Sequence, residues 1–501
     1  MEFVQNFPFF AIMLSMLAAI ITSALKGNAA RRLSYLLCAV NVVLMAALVV
    51  FLARTGESYV YMMGHFPAPW GNELRAGLLE GVMALVFSAV MLLSILGGEK
   101  HIRMDITPGK VNLYYVMVDL LMGALLALVF TNDIFTAYVF IEISTIASCG
   151  LLMIREIGRT TLAATRYMIF SLLGSGLLLI GIVLLYDLTG HLLMSNMQEA
   201  IRILTQNPEN RIPLLVATGL LTMGLALKSG LFPFYFWMPD TYGISTPASG
   251  AILSGLVSKG YIFLLIKIFY RVIGIDYIRD SKILNVLFVF GLCGIIVGSL
   301  GAIRENDIRR MIAYSSAAQI GYIYAGIGLG TAAGMTAAIF QIAVHAIVKP
   351  LLFISASGLS DASGMSKKFA DLQGAGFRNR TAGVAFTIGA LSMVGFPMLA
   401  GFVTKLLFAM SSVQNTNKML PMLIVLAIST VLNAVYFLRT VIRIYRPQTA
   451  PLPADGTDGA AAAPSLSMAA ALACFVALNL VFGLMSAPIA GAIETGLAIF
   501  A

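Results

Sequence analysis

Two lysines lie where a membrane helix has no ordinary use for one. Lys228 sits inside an apolar run that begins near Ile212, and Lys259 lies in the middle of the next run. Between them the chain reads SGLFPFYFWMPDTYGISTPAS, with Pro233 five residues after Lys228. An ammonium at the centre of a membrane helix costs about 2.5–3.5 kcal/mol on insertion scales. Pro233 has no N–H and breaks or kinks the helix just past Lys228. Non-helical backbone at membrane depth is tolerated only against protein or a wet cavity. A lysine beside a broken helix therefore points to a buried polar path, and the chemistry such groups perform is proton or cation transfer.

Other residues extend the pattern. Glu142 lies about nine to twelve residues from the ends of the apolar stretch 133–154, near mid-bilayer depth. A carboxylate there must be neutral, paired with a cation such as Lys228, or turned to a cavity. Asp119 lies within the stretch before it. Gln341, His345 and Lys349 are spaced i, i+4, i+8, so they share one helical face. A histidine in such a stripe is a proton-relay candidate, with a satisfied core residue as the alternative. Pro350 is expected to interrupt that helix. Ser315, Ser316 and Gln319 place hydroxyls and an amide on a neighbouring stretch, where they either hold an ordered water file or glue helices together. A second broken helix is expected at Gly395, Pro397 and Gly401, and Lys405 follows it.

The elements that must position these groups are set by composition. Of 501 residues, 59% are hydrophobic and only 11% charged, with mean hydropathy +0.91. Soluble domains carry about 25% charge, so the chain is read as an all-α polytopic membrane protein. About fourteen apolar stretches are long enough to span a bilayer as helices. They fall near 7–25, 33–53, 77–98, 111–131, 133–154, 163–187, 212–232, 246–270, 283–303, 309–329, 332–358, 381–409, 420–443 and 467–487. The first is read as an anchor rather than a signal peptide. Glu80 opens the third and is expected at headgroup level. The loop Ser58 to Gly77, with His65 and Trp70, suits a membrane interface.

The net charge of +9 resides largely in alternate loops, around Arg31, Lys100, Arg155, Arg309, Lys367 and Arg443. The positive-inside rule puts those loops in the cytoplasm and both termini outside. After this sorting five basic residues remain inside spans: Lys228, Lys259, Lys267, Lys349 and Lys405. Cys38, Cys149, Cys293 and Cys474 read as apolar fillers with no CxxC spacing. Nothing in the motifs binds zinc, haem, an iron–sulfur cluster or a nucleotide, so no resident cofactor or metal and no catalytic redox centre is expected. The basic balance follows from membrane loops and does not imply nucleic acid.

The organisation expected is an N-terminal group of three helices (1–110), a first repeat (111–270), a second repeat (283–443), a flexible linker (444–466) and a last helix (467–501). Each repeat holds five spans and one interrupted helix with a lysine. An odd number of spans places the two repeats in opposite orientation, the inverted-repeat pattern of secondary transporters.

The run LKSGLFPFYFWMPDTYGISTPASGAILSGLVSKGYIF resembles the signature of antiporter-like subunits of the complex I superfamily. IRENDIRRMIAYSSAAQIGYI, VHAIVKPLLF and GFPMLAGFVTK match the same family in order, over about residues 80–445. Within it the chain is most similar to the D subunit of Mrp-type cation/proton antiporters and its equivalents in group 4 membrane-bound hydrogenases. The runs YVFIEISTIASCGLL and GSGLLLIGIVLLYDLTG favour that branch over respiratory complex I. The resemblance implies an axis of ionisable residues: Glu142 paired with Lys228, then Lys259, His345, Lys349 and Lys405. Many relatives carry histidine where Tyr235 stands, and a phenol with pKa near 10 is no neutral-pH relay.

The function expected is proton translocation within a multisubunit complex of the cytoplasmic membrane, driven by an ion gradient or by redox chemistry elsewhere. Other membrane subunits and a hydrogenase or ferredoxin/NAD(P)H-linked arm are the partners implied. Two alternatives stand beside it: a sodium-translocating role, with Asp119 or Glu142 as transient Na⁺ contacts, and a non-conducting membrane scaffold.

Overall fold

A computed structural model describes residues 3–66, 71–447 and 465–500, apart from the His65 side chain. The chain is almost wholly helical. The principal helices are α1 (Phe7–Ala24), α2 (Gly27–Thr55), α3 (Leu78–Gly97), α4 (Val111–Phe130), α5 (Ile134–Met153) and α6 (Gly158–Thr189). They continue as α7 (Arg211–Ser229), α8 (Met238–Ile244), α9 (Pro247–Ile273), α10 (Ile283–Arg304), α11 (Ile308–Gly328) and α12 (Ala332–Asp361). The last are α13 (Arg380–Val394), α14 (Ala400–Ser412), α15 (Thr416–Tyr445), α16 (Leu466–Leu484) and α17 (Ser486–Phe500).

Among the described residues twelve helices are long and apolar enough to cross a membrane, and the protein is multi-pass. The stretch expected at 309–329 forms α11, which is a single helix but not among the twelve. The stretch expected at 381–409 is the pair α13 and α14, each short by itself.

The run expected at 212–232 breaks just past Lys228, as Pro233 predicts: Gly230 (φ +76°) closes α7 at Ser229, Pro233 lies in the gap that follows, and the chain resumes as α8. Other expectations need correction. Pro350 does not interrupt α12, which runs unbroken from Ala332 to Asp361. The last apolar stretch is two helices, since α16 ends at Leu484 and α17 follows. The loop after α2 holds a hairpin: β1 (Tyr59–Met62) and β2 (Glu73–Ala76) pair antiparallel, Tyr59 opposite Ala76. Trp70 and most of the expected linker (448–464) lie outside the described residues, and α15 extends to Tyr445.

Close helix approach depends on small residues, as expected where lipid tails supply no hydrophobic drive between helices. A Cβ on Gly298 in α10 would stand 2.6 Å from the Ala318 nitrogen of α11. A Cβ on Gly174 in α6 would stand 2.8 Å from both the Gly224 carbonyl and Lys228 Cγ in α7. These contacts hold α6 on α7 and α10 on α11. α9 and α12 lie at the centre, buried on every side along their most apolar windows. A helix with no lipid face can carry ionisable side chains without exposing them to hydrocarbon. These two carry Lys259, Lys267, Gln341, His345 and Lys349.

Candidate functional site

Lys228 ends α7 one residue before the break, and its side chain is wholly buried. Its ammonium lies 3.4 Å from Glu142 Oε1 and donates to Thr145 Oγ1 at 2.9 Å. Glu142 and Thr145 stand three apart on α5, so one face offers both acceptors. Ser175 of α6 also donates to Glu142. The glutamate side chain is 26% exposed, so the pair opens on the outer surface of the chain while its cationic member is sealed. The Tyr261 ring lies 5.6 Å from the ammonium, with its hydroxyl 2.8 Å from Ser144. The spacing of Glu142 and Thr145 was there to be read; Ser175 carried no such signal.

Lys259 follows a π-helical turn, Leu253–Val257, in α9. Such turns re-aim backbone carbonyls and recur at functional sites. Lys259 donates to the Ser254 carbonyl within that turn. Ser254 Oγ meets Ser316 Oγ of α11 at 2.9 Å. The adjacent Ser315 accepts from Lys349 of α12, which also donates to the Ile312 carbonyl at 3.2 Å. Ser315 and Ser316 thus stand between two buried ammonium groups. Gly255 permits this approach: a Cβ there would meet Pro350 Cγ at 2.9 Å and the Ala346 carbonyl at 3.3 Å. Proline at 350 cannot return an N–H to that carbonyl.

The stripe on α12 faces α11 at two levels. Gln341 Nε2 donates to Gln319 Oε1 at 2.5 Å, two turns from Lys349. His345, between them and 1% exposed, has no protein partner at either ring nitrogen among the described residues. A small cavity bordered by Gln319, Gln341, His345, Thr404 and Lys405 leaves about 10 Å³ for the centre of a water-sized sphere. That is room for about one water. Across it, Lys405 donates to the Val394 carbonyl at 2.5 Å and to Thr430 Oγ1 of α15 at 3.0 Å. Val394 ends α13, Gly395 (φ +97°) and Met398 (φ +73°) shape the break, and Pro397 lies within it.

Other acidic and basic residues fall elsewhere. Asp119 is fully buried, and Oδ2 accepts from Thr22 of α1 at 2.9 Å and Ser34 of α2 at 2.8 Å. Its hydrogen bonds tie the first helices to α4 and do not join the lysines. Lys267 donates to the carbonyls of Val129 at 2.8 Å and Thr131 at 2.5 Å, closing the end of α4. Glu80, expected at headgroup level, is 1% exposed and ion-pairs with Arg271 at 2.6 Å. Arg271 and Arg309 are themselves 2% exposed, so buried basic residues are not confined to the five lysines. The sequence placed both arginines in loops, and tertiary packing covers them. In the loop after α12, burial and the neighbouring Arg309 push the Lys367 ammonium down to about 7. Among the described residues no three His, Cys, Asp or Glu side chains are grouped to hold a metal.

The fold and its contents define a multi-pass helical membrane protein with helices interrupted at 230–237 and 395–399, each break accompanied by a lysine. The chain belongs to the NADH:quinone oxidoreductase/Mrp antiporter transmembrane family, whose model matches residues 131–432. The N subunit of NADH-quinone oxidoreductase from Desulforudis audaxviator (strain MP104C) is 31% identical over 399 residues, covering 79% of this chain and 78% of that protein. The D subunit of the Na(+)/H(+) antiporter from Bacillus subtilis (strain 168) is 26% identical over 491 residues, covering 96% and 94%. In fold, the chain is similar to one in the Mrp complex from Dietzia sp. DQ12-45-1b, with TM-score 0.87 at 23% identity over 99% of this chain and 97% of that one. A chain of the archaeal membrane-bound sulfane sulfur reductase gives 0.86 at 23% identity, with the same coverage.

Proposed function

We propose that this chain is a proton-translocating, antiporter-like subunit of a multisubunit membrane complex, of the Mrp cation/proton antiporter kind or a redox-linked relative. The observation that carries this is the series of ionisable groups: Glu142 with Lys228, Lys259 and Lys349 about Ser315 and Ser316, then His345 and Lys405 across a cavity of water size. Relatives named as the D subunit of an antiporter and as the N subunit of NADH-quinone oxidoreductase support it, as does the likeness in fold to chains of two membrane complexes.

On this reading the chain crosses the membrane fourteen times, with α11 and the α13–α14 pair as crossings. Residues 111–270 and 283–443 are inverted repeats, supported by the matched breaks at 230–237 and 395–399. The membrane is the cytoplasmic membrane, the basic loops face the cytoplasm and both termini face outward. Neighbouring membrane subunits complete the complex, and the half-open Glu142 lies where one would pack.

The mechanism is charge-coupled. While Glu142 neighbours Lys228 the ammonium is stabilised; when the carboxylate swings away, burial favours release of the proton. At an effective dielectric of about 20, separating the charges from 4 to beyond 8 Å weakens their attraction by about 2 kcal/mol, or about 1.5 pKa units. The proton passes to Lys259, is exchanged through the serines and α12, and leaves by Lys405. The test is proton-coupled transport by the assembled complex in vesicles with Lys228→Ala and Glu142→Ala. Full transport in both variants rules the mechanism out; loss of Na⁺ flux with proton flux intact moves the reading to sodium passage.

A further inference from the structure

A cavity of about 530 Å³ opens between the turn after α10, the loop after α12 and the end of α15. Two backbone hydrogen bonds join the first two of these. Ile308 donates to the Lys367 carbonyl and Phe369 to the Asn306 carbonyl, both at 3.0 Å. Phe369 is buried, and two guanidinium groups of α15 lie over its ring, Arg443 at 5.4 Å and Arg439 at 5.7 Å. Arg439 donates to the Ile303 carbonyl at 2.9 Å. Arg443 borders the cavity together with Lys368 and Arg446. Among the described residues none of these three side chains has an ion pair or a hydrogen bond. The acidic residues of the border are engaged elsewhere. Glu305 accepts from Arg310 at 3.1 Å, and Asp307 caps α11 by accepting from the Arg309 and Arg310 amides at 2.8 and 3.1 Å. The border thus presents three cations with no carboxylate committed to them. Like charges brought together repel, and an anion seated among them relieves that repulsion. The arginine fork matches phosphate oxygens in geometry as well as in charge.

The helix that leads to the cavity selects the kind of phosphate. On α15, Val431, Val435, Leu438 and Ile442 are exposed and follow one another at spacings of four, three and four residues. They form one apolar row along the helix. Arg446, which caps α15, stands four residues beyond Ile442 and continues that row. Beside it the exposed Phe377 meets Tyr445 edge-on at 5.2 Å. Aromatic side chains of this kind collect at the level of lipid headgroups. A row of hydrocarbon contacts that ends on arginines at headgroup level fits a phospholipid, with an acyl chain on the row and the phosphate on the cations.

We propose that this cavity binds the headgroup phosphate of an anionic phospholipid, held by Lys368, Arg443 and Arg446, with an acyl chain lying along the exposed row of α15. Binding is non-covalent, and the lipid bridges the loop after α12 and the end of α15. The site involves none of the ionisable groups of the Glu142–Lys405 series and does not depend on what that series carries.

The test uses vesicles of phosphatidylcholine that carry the assembled complex and a trace of phosphatidylglycerol bearing a diazirine near the top of one acyl chain. Illumination is expected to attach the probe to the stretch Leu438–Ile442, read by mass spectrometry of its peptides. Unlabelled phosphatidylglycerol is expected to compete, and glycerol 3-phosphate, the soluble headgroup fragment, is not. Lys368→Gln alters an exposed side chain with no hydrogen bond to lose, and is expected to lower attachment about fivefold. Arg443→Gln with Arg446→Gln is expected to lower it further. Arg32→Gln, at an exposed basic residue of α2, is expected to leave it unchanged. No attachment at that stretch, attachment indifferent to Lys368→Gln, or an equal loss with Arg32→Gln overturns the site. Displacement by glycerol 3-phosphate as effective as by the lipid makes it a site for a free anion and overturns the lipid. Attachment that appears only after Asp455→Asn and Asp458→Asn gives the cavity to the segment 448–464 and overturns it too.

Discussion

Lys405 reaches back across the break that precedes it and donates to the Val394 carbonyl at 2.5 Å. That carbonyl ends α13, where the helix dipole is negative and the last carbonyls have no helical donor. The broken helix thus supplies the ammonium with an oxygen acceptor instead of a carboxylate, and Thr430 adds a second. Replacing Lys405 with Met is expected to lower proton transport at least about tenfold, with the complex still assembled. Thr430→Val removes one hydrogen bond to a charged group, worth about 1.5–3 kcal/mol, and should give a smaller loss. Transport rates normalised to assembled complex decide between these outcomes.

Glu142 and Lys228 are expected to be energetically coupled. Glu142→Gln and Lys228→Met should each slow transport strongly, and the double variant should be little worse than the poorer single one, because groups acting as a unit are not additive. Ser175→Ala frees the carboxylate from one donor and should have the mildest effect. Additive losses in a double-mutant cycle of transport rates count against a functional pair.

Lys267 is expected to behave differently from Lys259, although both are buried lysines of α9. Lys267 closes the end of α4, and Lys267→Met leaves carbonyls of Val129 and Thr131 without that donor. The cost should be about 1–3 kcal/mol of stability, seen as a lowered melting temperature in detergent. Transport per assembled complex should be largely kept. A loss of transport as deep as that of Lys259→Met, at unchanged melting temperature, removes the structural assignment.

Glu80 and Arg271 form an ion pair shielded from solvent, with Arg271 also stacked 3.9 Å from the Phe500 ring and donating to its carbonyl at 3.2 Å. Breaking one partner of a buried pair costs about 3–5 kcal/mol, because the other is left uncompensated. Glu80→Ala should therefore destabilise more than the paired Glu80→Ala, Arg271→Met variant. It should also loosen α17, measurable as faster hydrogen exchange there. Equal melting temperatures for the single and double variants exclude the pairing as the cause.

Lys367 offers a pH readout outside the membrane-spanning helices. Burial, with Arg309 nearby, sets its ammonium at about 7, against 10.5 for an ordinary lysine. Between these values the unfolded chain holds a proton that the folded chain has released, so the contribution of this group to stability rises with pH. Below pH 7 both states are protonated and the folded state carries the burial cost. Lys367→Met should therefore stabilise the protein more at pH 6 than at pH 9. A melting-temperature difference that does not change with pH contradicts this.

Much of the architecture was open to reading from the chain alone, because hydrophobic runs and helical periodicity are local. The apolar stretches, the lysines that interrupt them, the gaps at Pro233 and Pro397, and the common face of Gln341, His345 and Lys349 all follow from residue order. The shared motifs placed Glu142 with Lys228 by resemblance, 86 residues apart, and the fold brings them to 3.4 Å. Only the tertiary structure decided what each buried charge meets. It gave Lys267 to the end of α4, Asp119 to Thr22 and Ser34, and Arg271 to Glu80. It also set Ser315 and Ser316 between Lys259 and Lys349. The reason is physical: a helix's existence depends on its own residues, whereas a buried ion's partner depends on which distant helix packs against it and at what height.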